Sequence, residues 1–246
     1  MKIAILQMPV VMGQEEKNVN MAMRMIAEAA NTNPDFIVLP ECPFLGWLAE
    51  NSAKSAEPVP GSTTHLLSRK AMGNTVYIVS GLTEIEESTV YNSAVIVDRR
   101  GSVCLKHRKI NELDIGLKIY TRGTTLGVVE TKFGRVGLSI CADSWVPHIT
   151  QTLAAMGARV IFSPCAWACE KGEEEENIRQ IKEHYANRTK ESNVYLIGAN
   201  AVGEITEGEW KGKVLRGSSL VYGPGGKLIA EGMANEPQIL HCNIDI

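Results

Sequence analysis

"GRVGLSICADSW", residues 134–145, is an apolar run that ends in a cysteine, with an acid and a tryptophan close behind it. Val136, Leu138 and Ile140 occupy every second position, which is the period of a β-strand. A cysteine inside such a strand usually fills core space as a small apolar side chain. Cys141 comes where the run stops, so its thiol can point from the end of the strand toward a site.

Strand patterns and helix patterns alternate along the rest of the chain. "KIAILQM" (2–8) and "DFIVLP" (35–40) predict buried strands, and residues 15–30 carry apolar side chains at helical spacing. The same patterns predict strands at 75–81, 158–164 and 193–200, helices at 62–73, 147–156 and 174–191, and hairpins at 93–109, 126–141 and 217–232. No linker or low-complexity segment interrupts them. We therefore predict an α/β fold in a single domain, residues 1–246, with mixed sheets and helices outside.

The composition narrows the classes of function. In this chain of 246 residues, 25 Lys and Arg against 28 Asp and Glu give a formal net charge of −3, and there is no basic block. We therefore expect neither nucleic acid nor a membrane surface as a partner. No apolar run is long enough for a membrane span, and the first residues read as a strand instead of a signal peptide. Six cysteines without a CxxC pair predict free thiols and a cytoplasmic protein.

Motifs for metals, phosphates and serine nucleophiles are missing from the sequence. The five histidines are scattered and form no HExxH, and the CxxxC spacing of Cys165 and Cys169 is not typical of zinc or redox sites. The chain contains neither a P-loop nor a G-x-S-x-G elbow. We expect no metal and no cofactor.

Three predicted strand ends carry reactive side chains. In "FIVLPECPFLGW" (36–47), Glu41 follows a strand and is surrounded by apolar residues, an environment that suits a general base. In "CLKHRKINEL" (104–113), Lys109 leaves a strand beside other basic residues, and Cys141 ends a third strand. Each alone is ordinary: a loop acid, a solvated basic cluster, a core cysteine. Together they supply a base, a positive charge and a nucleophile at the strand ends, where α/β proteins assemble sites.

Six segments in order give the chain a resemblance to the nitrilase, or carbon–nitrogen hydrolase, superfamily over nearly its whole length. They are "AILQMPVVMGQEEKN", "DFIVLPE", "HRKIN", "GRVGLSICAD", "YANRTKESNVYLIGANAVG" and "GSSLVYGPGGKLIAEG". The resemblance implies a four-layer α-β-β-α sandwich with two mixed β-sheets packed face to face. It also implies a catalytic triad of Glu41, Lys109 and Cys141.

The resemblance further implies a mechanism. Glu41 acts as general base while Cys141 attacks a carbon bonded to nitrogen, and a thioester forms and is then hydrolysed. Lys109 and the backbone N–H of Ala142 stabilise the oxyanion. Members of the family often carry a second glutamate some eight or more residues after the lysine. Residues 115–129 contain no acid, so Glu112 and Asp114 are the nearest candidates. Either Glu112 fills this role by another loop path, or the role is absent from this chain.

The resemblance also suggests which residues line the pocket. Trp145 is expected to shape the site, and Cys165 and Trp167 lie where the family has a strand end facing the pocket. For Cys165 and Trp167, packing in the core is an equally good interpretation. Family resemblance also implies a homodimer or a larger homo-oligomer.

Departures from the family pattern leave several functions open. Nitrilases usually carry Cys-Trp-Glu, whereas here Ala142 and Asp143 follow the cysteine, which favours a small linear amide or carbamoyl substrate over a nitrile. A nitrilase and a non-catalytic binding or scaffold subunit on the same fold remain the alternatives. The acyl group, the leaving amine and the pathway cannot be read from the sequence, because loops build the pocket.

Overall fold

Two six-stranded mixed sheets form the centre of the molecule. A computed structural model describes residues 1–246. The helices are α1 (Glu15–Ala30), α2 (Ser52–Ser55), α3 (Ser62–Asn74), α4 (Pro147–Ala155) and α5 (Glu174–Ser192). The strands are β1 (Lys2–Gln7), β2 (Phe36–Val38), β3 (Tyr77–Glu86), β4 (Thr89–Val97), β5 (Val103–Arg108), β6 (Val128–Thr131), β7 (Gly134–Leu138), β8 (Val160–Cys165), β9 (Ala168–Cys169), β10 (Tyr195–Asn200), β11 (Val202–Glu204), β12 (Val214–Arg216), β13 (Leu220–Gly223), β14 (Lys227–Glu231) and β15 (Gln238–Asn243).

The strand order defines the two sheets. Sheet 1 runs β15-β1-β2-β3-β4-β5 and sheet 2 runs β14-β13-β10-β8-β7-β6, while β11, β12 and β9 form a small third sheet. β1, β2 and β3 are parallel, as are β7, β8 and β10, and the outer strands are antiparallel. No helix combines the length and the apolar composition that crossing a bilayer requires.

Alternation along β1 explains the four layers. Ile3 and Ile5 pack into the cluster between the sheets, whereas Ala4 and Leu6 pack on the opposite face, in the cluster that holds the buried side of α1 and α3. Burial of Ile3, Ile5 or Leu6 contributes about 1.5–3 kcal/mol per side chain to stability, because its apolar surface leaves water. The arrangement, with α4 and α5 beyond sheet 2, confirms the predicted α-β-β-α sandwich.

The structure also contains elements that the sequence patterns did not indicate. The predicted helix at 15–30 is α1, and the predicted hairpin at 93–109 is β4 and β5. The sequence patterns predict neither β15, which pairs antiparallel with β1, nor the small third sheet. These strands are short or half-exposed, so apolar periodicity marks them weakly.

The topology brings the ends of β2, β5 and β7 to one end of the sandwich. β5 is antiparallel to β4, and β4 to β3, so β5 runs in the same direction as β2 and β3. Across the two sheets, the backbone N–H of Glu41 donates to the carbonyl oxygen of Cys165 at 3.3 Å. The residues that follow these strands therefore meet in space.

Candidate active site

Cys141 sits at a strained elbow directly after sheet 2. Ile140 is extended, with φ −130° and ψ 115°, and Cys141 itself has φ 46°, in the left-handed region that favours glycine. A turn of 3₁₀ helix, Cys141–Trp145, follows, and Ser144 Oγ donates to the Cys141 carbonyl at 2.8 Å. Strain of this kind persists where the surroundings fix it, and it is common at active sites. The elbow turns the thiol out of the strand.

Asp143 ties this elbow to the segment that carries the lysine. Its Oδ2 accepts the N–H of Ile140 at 2.9 Å, and its Oδ1 accepts the N–H groups of Ile110 at 3.1 Å and Asn111 at 2.7 Å. His107 Nε2 lies 2.8 Å from Oδ2. Burial raises the pKa of Asp143, but His107 and the backbone donors outweigh it, so the pKa is lowered and the carboxylate stays charged. Asp143 thus supports the site without entering it.

Glu41, Lys109, Asn92 and Glu112 form a closed ring of hydrogen bonds and ion pairs. Lys109 Nζ lies 2.8 Å from Glu41 Oε1 and 3.1 Å from Glu112 Oε1. Asn92 Nδ2 donates to Glu41 Oε1 at 2.6 Å and to Glu112 Oε2 at 3.0 Å. All four residues are at most 2% exposed. The second oxygen of Glu41, Oε2, is buried and has no hydrogen-bond partner, so it remains available to accept a proton.

The charges of this ring control the protonation of its neighbours. Burial acts to lower the pKa of Lys109, but the charges of Glu41, Cys141 and Glu112 raise it well above the ordinary value, so the lysine stays cationic. Burial raises the pKa of Glu112, against the effect of Lys109. The Cys165 thiol, burial and the charge of Glu41 raise the pKa of Cys141 well above the ordinary value, against Lys109. Cys141 is therefore a thiol at neutral pH and needs a base when it reacts.

Close packing of β3 holds Glu41 in place. A Cβ atom on Gly81 would lie 2.7 Å from both Glu41 Cα and the Cys42 backbone nitrogen. The N–H of Gly81 donates to the Pro40 carbonyl at 3.1 Å. Only glycine allows this approach, which presses the loop that carries Glu41 against sheet 1.

One cavity of about 60 Å³ is lined by Glu41, Lys109 and Cys141 together with Trp145 and Trp167. This volume corresponds to a few water molecules, so the cavity suits a small substrate group. The predicted triad and two of the predicted pocket residues therefore meet at one place. Trp145 is 42% exposed and lies at the mouth, whereas Trp167 is 4% exposed.

The other predicted site residues lie beside the cavity. Cys165 is fully buried and is not among the lining residues; its Sγ lies 3.0 Å from the Ser163 carbonyl oxygen and 3.4 Å from Tyr185 Oη. Ala142 is fully buried, and its carbonyl accepts from Asn111 Nδ2 at 2.7 Å. Glu112 lies behind the cavity in contact with Lys109. No group of three or more His, Cys, Asp or Glu side chains is placed to hold a metal ion.

Sequence reasoning missed Asn92, Trp47 and Trp210. Asn92 lies beside Ser93 in β4, just before the apolar run of that strand, and no sequence signal sets it apart. Trp47 and Trp210 also line the cavity, and their rings make an edge-to-face contact at 5.0 Å. They come from loops far apart in the chain, and neither loop carries a recognisable motif.

The fold and the site together define a hydrolase with a cysteine nucleophile. A family model described as carbon-nitrogen hydrolase matches residues 2–246, and the chain belongs to that family. Among curated relatives, a protein named nitrilase from Pyrococcus abyssi is 31% identical and covers 100% of this chain and 90% of its own length. The omega-amidase NIT2 of Homo sapiens is 26% identical and covers 100% and 88%.

Solved structures show the same fold. An amidase from Nesterenkonia sp. AN1 superposes with a TM-score of 0.87 at 22% identity, covering 100% of this chain and 93% of that one. A second structure of that amidase, with glutamine in place of a glutamate, shows the acetamide moiety of fluoroacetamide added covalently at its active-site cysteine. Its TM-score is 0.86 at 20% identity, covering 99% of this chain and 90% of that one.

Proposed function

We propose that the protein is an amidase that hydrolyses the C–N bond of a small linear amide or carbamoyl compound through a thioester on Cys141. The observation that carries this proposal is the meeting of Glu41, Lys109 and Cys141, from the ends of different strands, at one cavity. Glu41 there keeps one carboxylate oxygen unpaired. The amidase names of several relatives and structural neighbours support the same conclusion.

The first half of the reaction forms the acyl-enzyme. Glu41 takes the thiol proton as the sulfur of Cys141 bonds to the carbonyl carbon. The carbonyl oxygen becomes an oxyanion, which Lys109 Nζ and the backbone N–H of Ala142 stabilise; one such donor is worth about 2.7–4 kcal/mol. Glu41 then returns the proton to the departing nitrogen. The C–N bond breaks, and ammonia or an amine leaves.

The second half releases the acid. A water molecule loses a proton to Glu41 as its oxygen attacks the thioester carbon. The C–S bond breaks, and the sulfur takes the proton back from Glu41. The carboxylic acid departs, and the thiol is restored for the next cycle.

Glu112 acts as the accessory acid in this scheme. Its carboxylate holds Lys109 from the side opposite Glu41 and shares Asn92 Nδ2 with it. With two carboxylates, the lysine keeps its charge and its position while Glu41 gains and loses a proton. Glu112 reaches this position from three residues beyond Lys109, a shorter chain path than the family pattern implies.

Nitrile hydrolysis is the second candidate function. It is supported by the name of the Pyrococcus abyssi relative. The residues after the nucleophile, Ala142 and Asp143, differ from the Cys-Trp-Glu of nitrilases. The thiol of the same site would also add to a nitrile carbon, so a comparison of nitrile and amide turnover distinguishes the two functions.

We further propose a cytoplasmic homodimer or larger homo-oligomer. All six cysteines are free thiols, which supports a reducing compartment. Light scattering behind size-exclusion chromatography tests the assembly: a mass at twice or more the 26.9 kDa of the chain is expected, and 26.9 kDa would contradict it.

The test of the main proposal is ammonia release from a panel of small amides, ureido compounds and nitriles. Wild type should release ammonia from amides or ureido compounds, and Cys141→Ala should lose about 10⁴-fold or more of this activity. Cys104→Ala is the matched control, because Cys104 is a half-buried thiol on β5. Release from nitriles alone would favour the nitrilase. Full activity in Cys141→Ala would overturn the mechanism, and silence across the panel would favour the scaffold subunit.

A further inference from the structure

All four tryptophans of the chain line the one cavity that holds the triad. They are Trp47, Trp145, Trp167 and Trp210. They come from four different parts of the sequence, so their meeting is a property of the folded site. Trp47 and Trp167 are each 4% exposed, and both of their indole N–H groups are buried without an acceptor. The part of the cavity beyond the triad is therefore an aromatic chamber.

The charged groups at this cavity are paired with one another. Lys109 is the one basic side chain in the lining, and its Nζ lies within 3.1 Å of both Glu41 and Glu112. Lys213, beside Trp210, lies 4.2 Å from the ring centroid of that tryptophan and is paired with Glu170 at 3.2 Å. Glu41 and Glu112 both contact the ammonium of Lys109, so the lining offers a ligand no unpaired cation.

The aromatic faces are partly occupied by cations of the protein itself. Lys109 Nζ lies 4.9 Å from the Trp47 ring centroid, and Lys213 covers Trp210. A positively charged ligand would meet Lys109 instead of a free aromatic box. An ionised carboxylate would lose its water, gain no free cation and face the carboxylate of Glu41. The indole N–H groups can donate hydrogen bonds, but they bring no positive charge.

From this we infer that the chamber takes a short, uncharged acyl group and rejects one that carries a second ionised carboxylate or an ammonium group. The inference rests on the proposed amidase function and adds the class of substrate. The specificity-determining residues are the tryptophans, with Lys109 kept from binding an acyl carboxylate by its two acidic partners.

Four primary amides of similar length test the selection. They are 4-methylpentanamide, which is apolar; succinamide, which is neutral and polar; succinamate, which is anionic; and 4-aminobutanamide, which is cationic. The expected kcat/KM is about 100-fold higher for the better neutral amide than for succinamate, and at least about tenfold higher than for 4-aminobutanamide. A kcat/KM for either charged amide equal to or above both neutral ones would overturn the inference while leaving the amidase function intact.

Binding to the Cys141→Ala protein separates the two proposals. Because every tryptophan lines the cavity, intrinsic fluorescence reports its occupancy directly. The neutral amides should change the fluorescence at concentrations at which succinamate does not. Binding of the neutral amides without turnover by wild type would overturn the amidase function but support the chamber. Equal or tighter binding of succinamate would overturn the chamber.

A positive charge added to the cavity wall tests whether charge controls the selection of substrate. Trp210→Arg places a cation at the half-buried rim of the chamber, and Trp210→Leu is its neutral control. The ratio of kcat/KM for succinamate to that for 4-methylpentanamide should rise about tenfold in Trp210→Arg relative to Trp210→Leu. An equal ratio in the two variants would contradict a selection based on charge.

Discussion

Glu84, on β3, and Glu41, in the loop after β2, are both buried carboxylates that pair with cations from residues 106–109, yet they differ in one respect. At Glu84, Oε1 accepts from Lys106 and Arg108, each at 2.6 Å. Its Oε2 accepts from Ser93 at 2.5 Å and from Arg108 Nε at 3.0 Å. At Glu41 both donors, Asn92 Nδ2 and Lys109 Nζ, bind Oε1, and Oε2 has no hydrogen-bond partner.

This difference separates a structural acid from a reactive one. Burial raises the pKa of Glu84, but Arg108, Lys106 and Ser93 outweigh it and lower the pKa to about 2, so this carboxylate does not take up protons near neutrality. Glu41 is held just as firmly through one oxygen, while the other faces no donor. A buried carboxylate with both oxygens satisfied stabilises the fold, and one with a free oxygen can move a proton.

The largest expected effect comes from the same substitution at the two acids. Glu41→Gln should lower kcat by about 10²–10⁴-fold, because the base is lost while the shape is kept. Glu84→Gln should lower the free energy of unfolding by about 2–3 kcal/mol, because Lys106 and Arg108 lose their buried carboxylate and keep only the exposed Glu86. It should keep kcat within a few-fold. Ammonia release and urea unfolding on both variants check this. Loss of kcat in Glu84→Gln with full folding would remove the distinction.

A smaller effect is expected at the accessory acid. Glu112→Gln should lower kcat by about 10–100-fold, because Lys109 then keeps only one carboxylate partner and loses its fixed position. Asp114→Asn is the matched control: its side chain is fully exposed, and its one ion pair, with Arg122, is 3.9 Å long. Steady-state kinetics on the two variants should show unchanged kcat for Asp114→Asn. Equal kcat in both would exclude Glu112 from the reaction.

Gly116→Ala tests the position of Glu112 without removing its carboxyl group. A Cβ atom on Gly116 would lie 2.5 Å from Glu112 Oε1, so the carboxylate has to move away from Lys109. We expect kcat to fall about 3–10-fold, less than in Glu112→Gln, since the charge stays nearby. Gly73→Ala is the control, because no atom lies within 4 Å of its added Cβ, and kcat should not change there. Kinetics that match wild type in Gly116→Ala would mean that the position of Glu112 is unimportant.

The smallest expected effect is a dependence of stability on pH. The pKa of Glu84 is about 2 in the folded protein against an ordinary value of 4.5, so its contribution is complete above pH 4.5 and is lost as the pH falls toward 2. The difference in unfolding free energy between wild type and Glu84→Gln should therefore shrink between about pH 6 and about pH 3.5. Urea unfolding at both values measures it. A constant difference would mean that Glu84 acts through packing alone.

The sequence predicted the reactive residues better than their surroundings. Glu41, Lys109 and Cys141 each follow a predicted strand, and α/β proteins assemble sites at strand ends, so their meeting could be inferred from pattern and family resemblance together. Asn92 and Trp210 could not be predicted, because their roles depend on which strands and loops become neighbours. Cys165 was expected at the pocket or in the core, and the structure buries it fully, with its Sγ 3.4 Å from Tyr185 Oη. The strand pattern alone does not distinguish these places, because it does not show which helix packs against the strand.

The pairing of β15 with β1 has a consequence for synthesis of the protein. The ribosome makes β15 after the other strands of both sheets, and until then one edge of β1 presents unpaired N–H and C=O groups. The side chain of Gln7 also lacks acceptors until that stage, because its Nε2 donates to the carbonyls of Met233 at 2.6 Å and Glu236 at 2.7 Å. A nascent chain stalled before β15 already carries every catalytic residue, but it has an open sheet edge that invites aggregation.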